Sequence, residues 1–345
     1  MLLIPGPVQL DEETMLRTGS QMVSHRSEDF RKVLRTMDTG LREILGTTEP
    51  VYTITGSGTA AVEFLAANTI ARGDNVLCLS KGKFGNRFAD IARVYSDNVI
   101  CRETKWGFPI GIGAVDDAPA PDIVTMVANE TSTGVLNDVS EVRRKFPGAM
   151  LLVDAVSALG NPLSVEGSGI DGIATASQKA LASPPGLAFA SLNKIAQAKA
   201  QDASIRAPYY LRYEAYCKSA QKGETPFTPC IPVAFACAYR IGKINEEGIG
   251  SFIERHGQNA AYARKRIVDS GFQLFPKGGA KPSSVLTAVE TPNASSIVQR
   301  MREKGFVISG GQDALKGKIF RMAHMGVATR DDLKAALDAL ESCIS

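Results

Sequence analysis

Short apolar runs rich in β-branched residues alternate along this chain with longer stretches of helical periodicity. Val51–Thr55 (VYTIT), Asn75–Ser80 (NVLCLS), Asp122–Ala128 (DIVTMVA), Leu151–Val153 and Ile173–Ala176 are brief, apolar and bounded by turn signals. That pattern predicts buried strands of a largely parallel sheet. Between them, Phe30, Val33, Leu34, Met37, Leu41, Ile44 and Leu45 recur at helical spacing. Ala60–Ala71, closed by Gly73, and Val139–Phe146 predict two further helices. VYTIT, the helix after it and NVLCLS together read as a βαβ unit. From Leu187 a run ending FASL leads into an Ala- and Lys-rich helical stretch reaching about Arg206. Thr225–Pro232 carries three prolines in eight residues and must be extended. A long helical stretch follows from about Val233, is interrupted near Glu247-Gly248 and ends before Gly271.

The remainder predicts a smaller α/β unit. FQLF, SVLTAVE, FVISGG and KIFRMAH read as strands, with Ser295–Glu303 as a helix between them. The last helix opens at Thr329 with Asp332 three residues on, a capping-box pattern, and Leu333, Leu337, Leu340 and Ile344 line its buried face. At the other end, Pro5-Gly6-Pro7 prevents regular helix until Asp11-Glu12-Glu13 opens one. The expected organisation is an N-terminal arm (1–14), a large α/β domain (15–240) and a small C-terminal domain (241–345).

Chemistry gathers at the ends of the predicted strands. In a parallel sheet, residues just past the C-terminal ends of the strands face the ligand crevice. Asp154 ends one central run and Gln178-Lys179 ends the next, so an acid and a lysine would face one pocket. The pair fits pyridoxal phosphate, which needs a lysine amine to hold its aldehyde as a Schiff base and a carboxylate to keep its ring nitrogen protonated. It also fits an ordinary salt bridge. After VYTIT, Gly56-Ser57-Gly58-Thr59 forms a glycine–hydroxyl turn at a helix start, where free N–H groups can hold a phosphate. The turn lacks both the P-loop lysine and G-x-G-x-x-G. Phe84, flanked by Gly82 and Gly85, could lie flat on a planar ring or belong to the core. Asn129–Gly134 puts polar groups past another strand. Arg321, inside KIFRMAH, is costly to bury unless a structural acid or a substrate supplies a carboxylate.

Composition narrows the field. The 345 residues carry 44% hydrophobic and 22% charged residues and a formal charge of +3, too small and dispersed to argue for nucleic acid. No apolar run approaches a membrane span, and the N-terminus lacks a signal-peptide pattern. Six scattered cysteines without a C-x-x-C pair, and three distant histidines, argue for reduced thiols in a cytoplasmic protein and against a metal site.

With DAVSALG at Asp154–Gly160, SQKAL at Ser177–Leu181, the PGP near the start and FRMAHMG at Phe320–Gly326, nearly the whole chain resembles class V of the fold-type I pyridoxal-phosphate enzymes. It is most similar to the alanine–glyoxylate and serine–pyruvate aminotransferase group. The resemblance implies a large, mixed, mostly parallel sheet flanked by helices, plus a smaller C-terminal α/β domain. It implies a homodimer with shared active sites, and a ping-pong exchange between alanine or serine and glyoxylate or pyruvate. Lys179 would bind the cofactor aldehyde and shuttle the proton, and Asp154 would pair with the ring nitrogen. Val156 and Phe84 would pack on the two ring faces. Ser57, Gly58, Thr59 and Gln178 would hold the phosphate, with Thr228 reaching it from the neighbouring subunit. Thr131 would reach the ring hydroxyl, Arg321 would clamp the substrate carboxylate and Gly6 would lie at the substrate. Many relatives carry tryptophan or tyrosine in place of Phe84, glycine in place of Ala323, and some a tyrosine where Thr225 stands.

Three alternatives remain at this level. A 2-aminoethylphosphonate transaminase has the same framework. A cysteine desulfurase or lyase would usually carry histidine where Gln178 stands, and no motif around Cys217 or Cys230 marks a reactive thiol. A cofactor-binding protein without turnover would be expected to lack Lys179, Asp154 or Arg321, and all three are present.

Overall fold

The computed structural model describes residues 1–110 and 120–343. The arm runs into α1 (Glu12–Thr18), N-capped by Asp11, and then α2 (Glu28–Leu45). The predicted face of α2 is the one that packs: Phe30, Leu34, Met37, Leu41, Ile44 and Leu45 are buried, and Gly46 (φ 63°) ends the helix. β1 (Val51–Gly56), α3 (Gly58–Thr69), β2 (Asn75–Ser80), α4 (Lys83–Tyr95), β3 (Asn98–Glu103) and β4 (Ile123–Val127) come next. The two-residue strands β5 (Asn129–Glu130) and β6 (Val135–Leu136) form a hairpin. They precede α5 (Val139–Lys145), β7 (Met150–Asp154), the short α6 (Val165–Ser168), β8 (Gly172–Ala176) and β9 (Gly186–Leu192).

Seven of these strands form one sheet in the order β1-β9-β8-β7-β4-β2-β3. β9 runs antiparallel to both neighbours and the other pairings are parallel. The expected βαβ unit is therefore not a pair of neighbours. β1 lies at one edge beside β9, and β9, β8, β7 and β4 intervene before β2, with α3 packed across β8 and β9. Alternation along the strands feeds two cores. Leu77, Leu79, Leu151 and Val153 share one core with the apolar face of α2, while Val76, Cys78 and Leu152 join Phe64, Leu65 and Phe88 in the other. Because both faces are covered, these strands read as continuous apolar runs.

After β9, α7 (Lys194–Ala200) stops short of the predicted Arg206. Asp202 Oδ1 accepts the Ser204 N–H at 2.7 Å there, a local turn that competes with helix. α8 (Tyr213–Ala220) is an element the sequence pattern did not reveal. The proline-rich segment leads into α9 (Ile231–Glu247), and Gly248, at φ 84°, separates it from α10 (Ile249–Asp269). β10 (Gln273–Leu274), β11 (Lys281–Pro282), β12 (Leu286–Glu290), α11 (Ala294–Glu303), β13 (Ser309–Gly310), β14 (Ile319–Ala323) and α12 (Arg330–Glu341) complete the chain.

Strands β10-β12-β14-β13 make an antiparallel sheet. Val289, Phe320 and Met322 on it pack against Ala263, Ile267, Met301, Leu333 and Leu337 of the helices. β11 lies outside this sheet and pairs with β6, making a separate three-stranded sheet β11-β6-β5 that joins the C-terminal part of the chain to the hairpin after β4. The capping box of α12 forms between Thr329 and Asp332, and Leu333, Leu337 and Leu340 are buried as expected. Ile344 lies outside the described residues.

Candidate active site

The C-terminal ends of the parallel strands share one edge, because parallel strands must all finish on the same side. There a cavity of about 140 Å³ is lined by Ser57, Gly58, Thr59, Phe84, Asp154, Val156, Gln178 and Lys179, together with Val62, Arg87 and Phe88. Eight residues singled out from the sequence thus converge in one space, although they span positions 57 to 179.

Asp154 is the last residue of β7 and is 8% exposed. Its Oδ1 accepts the Val156 N–H at 2.8 Å, which leaves the other oxygen for a ligand. Burial raises its pKa to about 6 against the opposing pull of that N–H, and Glu130 raises it further while Lys179 and Arg87 lower it. Lys179 follows β8, and burial brings its ammonium down to about 8, with Asp154 opposing and Arg321 and Arg87 adding to the shift. The amine is therefore poised to lose its proton near neutrality, as a nucleophile or proton carrier requires.

α3 begins at the cavity with an open N-terminus. Ser57 is its N-cap residue, yet its side chain makes no capping bond. Ser57's carbonyl accepts the Ala60 N–H at 2.8 Å. The helix dipole and the amides at Gly58 and Thr59 point at an anion-sized space. Gly58 must be glycine, since a Cβ would lie 2.6 Å from Val156 Cγ2. Gln178 Oε1 is buried without a partner among the described residues; a flip of that amide presents its NH2 instead.

Phe84 occupies the first turn of α4, with its N–H given to Glu130 Oε2 at 3.1 Å. One turn on, the Arg87 guanidinium lies 4.8 Å from the Phe84 ring centroid and reaches Thr59 Oγ1 at 3.3 Å. Arg87 was not singled out from the sequence. Its position three residues after Phe84, one helical turn away, was the available signal.

The arm closes the site from the other side. Lys179 Nζ donates to the Pro5 carbonyl, and Gly6 (φ 110°) passes so close that a Cβ would lie 2.6 Å from Lys179 Cδ. Gly6→Ala is therefore expected to destabilise the cofactor-free protein by ~1–3 kcal/mol through overpacking and backbone strain, and to weaken cofactor uptake. A urea midpoint and a cofactor titration check this. A fully wild-type titration would mean that the arm does not touch Lys179 in solution.

Arg321 comes from the second sheet and is 5% exposed. The sequence suggested a carboxylate partner, but its hydrogen bonds go to carbonyls. Nε and Nη2 donate to Gly310 O at 3.1 and 2.8 Å, and Nη1 donates to Thr131 O at 2.9 Å. Burial lowers its pKa to about 10 and Glu130 opposes that shift, so it stays charged at neutral pH. Carbonyls satisfy N–H geometry without neutralising charge, which leaves the cation available to an anion. Thr131 is buried beside it but is not part of the cavity wall. Thr228 is exposed, on the extended segment before α9, and does not line the cavity.

The family model for aminotransferase class-V matches residues 11–331. The chain belongs to the class V aminotransferases. An uncharacterized aminotransferase of Methanocaldococcus jannaschii is 34% identical to this one, over 99% of this chain and 91% of that one. A serine–glyoxylate aminotransferase of Methylorubrum extorquens is 28% identical over 99% of this chain and 90% of its own. The solved alanine–glyoxylate aminotransferase of Nostoc sp. superposes with a TM-score of 0.92 at 29% identity, covering all of this chain and 95% of that one. Class V aminotransferases depend on pyridoxal phosphate, and this aminotransferase has groups that suit it: an uncapped helix N-terminus for a phosphate, an orphaned amide in Gln178, a buried acid and a lysine of lowered pKa.

Proposed function

We propose that this transaminase moves the amino group of a small amino acid, alanine or serine, to a small 2-oxo acid, glyoxylate or pyruvate, in two half-reactions of a ping-pong cycle. The observation that carries the reading is the convergence of Lys179 and Asp154 on the cavity at the open end of α3, with Arg321 beside it. Similarity to proteins named serine–glyoxylate and alanine–glyoxylate aminotransferases supports the choice of substrates.

When bound, pyridoxal phosphate supplies an electron sink that makes the substrate Cα–H acidic. The residues do the rest. Lys179 Nζ would anchor the cofactor aldehyde until the substrate amine displaces it, and the freed amine would then take the Cα proton and return it to the former aldehyde carbon across the nitrogen. The Asp154 carboxylate holds a proton on the ring nitrogen. Phe84 and Val156 hold the ring between them, and Thr131 meets its hydroxyl region. Ser57, Gly58, Thr59 and Gln178 bind the phosphate, and Arg87 adds a positive charge beside that cup. Arg321 fixes the substrate carboxylate with its planar fork, and Gly6 leaves room for the substrate only because it lacks a side chain. Thr228 reaches the phosphate of the second subunit in a homodimer, which accounts for its exposure in the single chain. Six free cysteines suit a cytoplasmic setting.

Titrating the holoenzyme with single amino acids tests the reading. Alanine or serine should abolish the visible cofactor band, and glyoxylate or pyruvate should restore it. A band that responds only to cysteine, with sulfide released, would replace transamination with sulfur removal.

The lowered pKa of Lys179 also sets a pH dependence. Nζ must be neutral to bond to an aldehyde, so cofactor uptake by the cofactor-free protein should rise about tenfold per pH unit and level off above about 8. An ordinary lysine would still be gaining rate near pH ~10. Burial puts the Asp154 pKa at about 6 in the empty site, and the positive ring nitrogen would pull it down, so transamination should hold to about pH 6 and fall only below it. Stopped-flow absorbance and a pH–rate profile measure the two limbs.

A further inference from the structure

Glu130 is fully buried at the end of β5. Its Oε2 accepts the N–H groups of Phe84 and Gly85, both at 3.1 Å. Oε1 accepts the Ser132 N–H at 3.0 Å and the Ser132 hydroxyl at 2.6 Å. Three of the four are backbone N–H groups, which can only donate, and the Ser132 hydroxyl donates to Oε1 as the fourth. The arrangement fits an ionised carboxylate. Burial pushes the pKa of Glu130 up, and the four donors pull it back.

The same turn takes the other free amide of the α4 N-terminus, since Ser132 Oγ accepts the Lys83 N–H at 3.1 Å. Lys83, Phe84 and Gly85, which have no partner within the helix, are thus held by residues 130 and 132, and the carboxylate lies at the positive end of the helix dipole. Gly82 is pressed against this pair, since a Cβ there would collide with Ser132 Oγ and the Glu130 side chain. The residue between them, Thr131, gives its carbonyl to Arg321. Two buried cations, Arg321 and Lys81, are both favoured by the charge of Glu130. Lys81 is 3% exposed and makes no hydrogen bond or ion pair among the described residues, so a nearby anion bears directly on its burial.

We propose that Glu130 is a positioning residue that couples two binding events: through one buried carboxylate it sets the Phe84 ring against the cofactor and, through the turn it anchors, the Arg321 guanidinium against the substrate carboxylate. The inference rests on the roles proposed above for Phe84 and Arg321. It also explains how residues from two separate sheets keep register at one site.

The test is Glu130→Gln, which keeps the size and removes the charge. The amide NH2 must then face one set of N–H donors, and leaving buried donors unpaired should change binding by about tenfold. In cofactor-free protein, hydrogen exchange at the Phe84 and Gly85 amides should accelerate about tenfold by the same reasoning. In holoenzyme, the cofactor Kd and the KM for the amino donor should both rise, and the visible circular dichroism of the bound cofactor should weaken. Phe84→Leu should move the cofactor readouts alone. If E130Q does not accumulate as folded protein, Ser132→Ala keeps the charge, removes one donor and should move the same readouts together by a smaller factor. Wild-type values throughout, or a KM change with an unaltered dichroism and cofactor Kd, would overturn the coupling. A wild-type protein that binds cofactor but exchanges no amino group would instead remove the functional reading on which the coupling rests.

Discussion

Lys179→Ala is expected to abolish measurable transamination while leaving the protein folded. Loss of the proton carrier alone removes ~10²–10⁴-fold in rate, and the covalent anchor for the aldehyde disappears with it. Lys179→Arg is the informative companion, because arginine keeps the positive charge but stays protonated at working pH. It should be as inactive as alanine. The assay is oxo-acid formation from alanine or serine with glyoxylate as acceptor, alongside the visible spectrum of the purified variants. A variant that kept more than a tenth of the wild-type rate would show that another base moves the Cα proton. The expectation rests on position. Lys179 lies three residues past the end of β8, its amine meets the arm at Pro5, and burial lowers its pKa to about 8.

Arg321→Gln should act mainly on binding. Truncating one partner of a buried, hydrogen-bonded charge pair costs ~2–5 kcal/mol, which is at least ~30-fold in affinity. KM for the amino donor and for the oxo acid should rise together, because both carry the same carboxylate, and kcat should fall less. Arg321→Lys should recover little. A single ammonium cannot satisfy Gly310 O and Thr131 O and still present two parallel N–H groups to a carboxylate. Steady-state kinetics in both half-reactions give the split, and a thermal midpoint separates it from loss of fold. A rise in KM for only one of the two substrates would place the shared carboxylate elsewhere.

The two predictions probe different parts of the architecture. Lys179 belongs to the seven-stranded sheet and Arg321 to the antiparallel one, and the hairpin β5–β6 joins them. Through β11 the hairpin pairs with the C-terminal part of the chain, and through Thr131 O it holds the arginine. With Arg321 as the carboxylate clamp proposed above, a bound substrate would bridge the two sheets.

The sequence by itself determined the elements that depend on local pattern. The face of α2, the caps of α1 and α12 and the apolar runs of β2, β4, β7 and β8 all follow from side-chain periodicity and capping, which neighbours along the chain decide. It also placed Asp154 and Lys179 in one cavity, since two parallel strands ending in reactive residues must deliver them to the same edge. What only the tertiary structure decided are pairings between distant segments. Nothing in VYTIT says that β1 pairs with β9 instead of β2, because strand order is chosen by long-range packing that leaves no mark on the run itself. Nor does KIFRMAH reveal that Arg321 binds carbonyls, as every residue contributes a carbonyl and only the fold selects which two are near. Glu130 was hidden for the same reason. Its four donors come from α4 and from its own turn, so its role as the anion at a helix end exists only once β4 and α4 stand side by side.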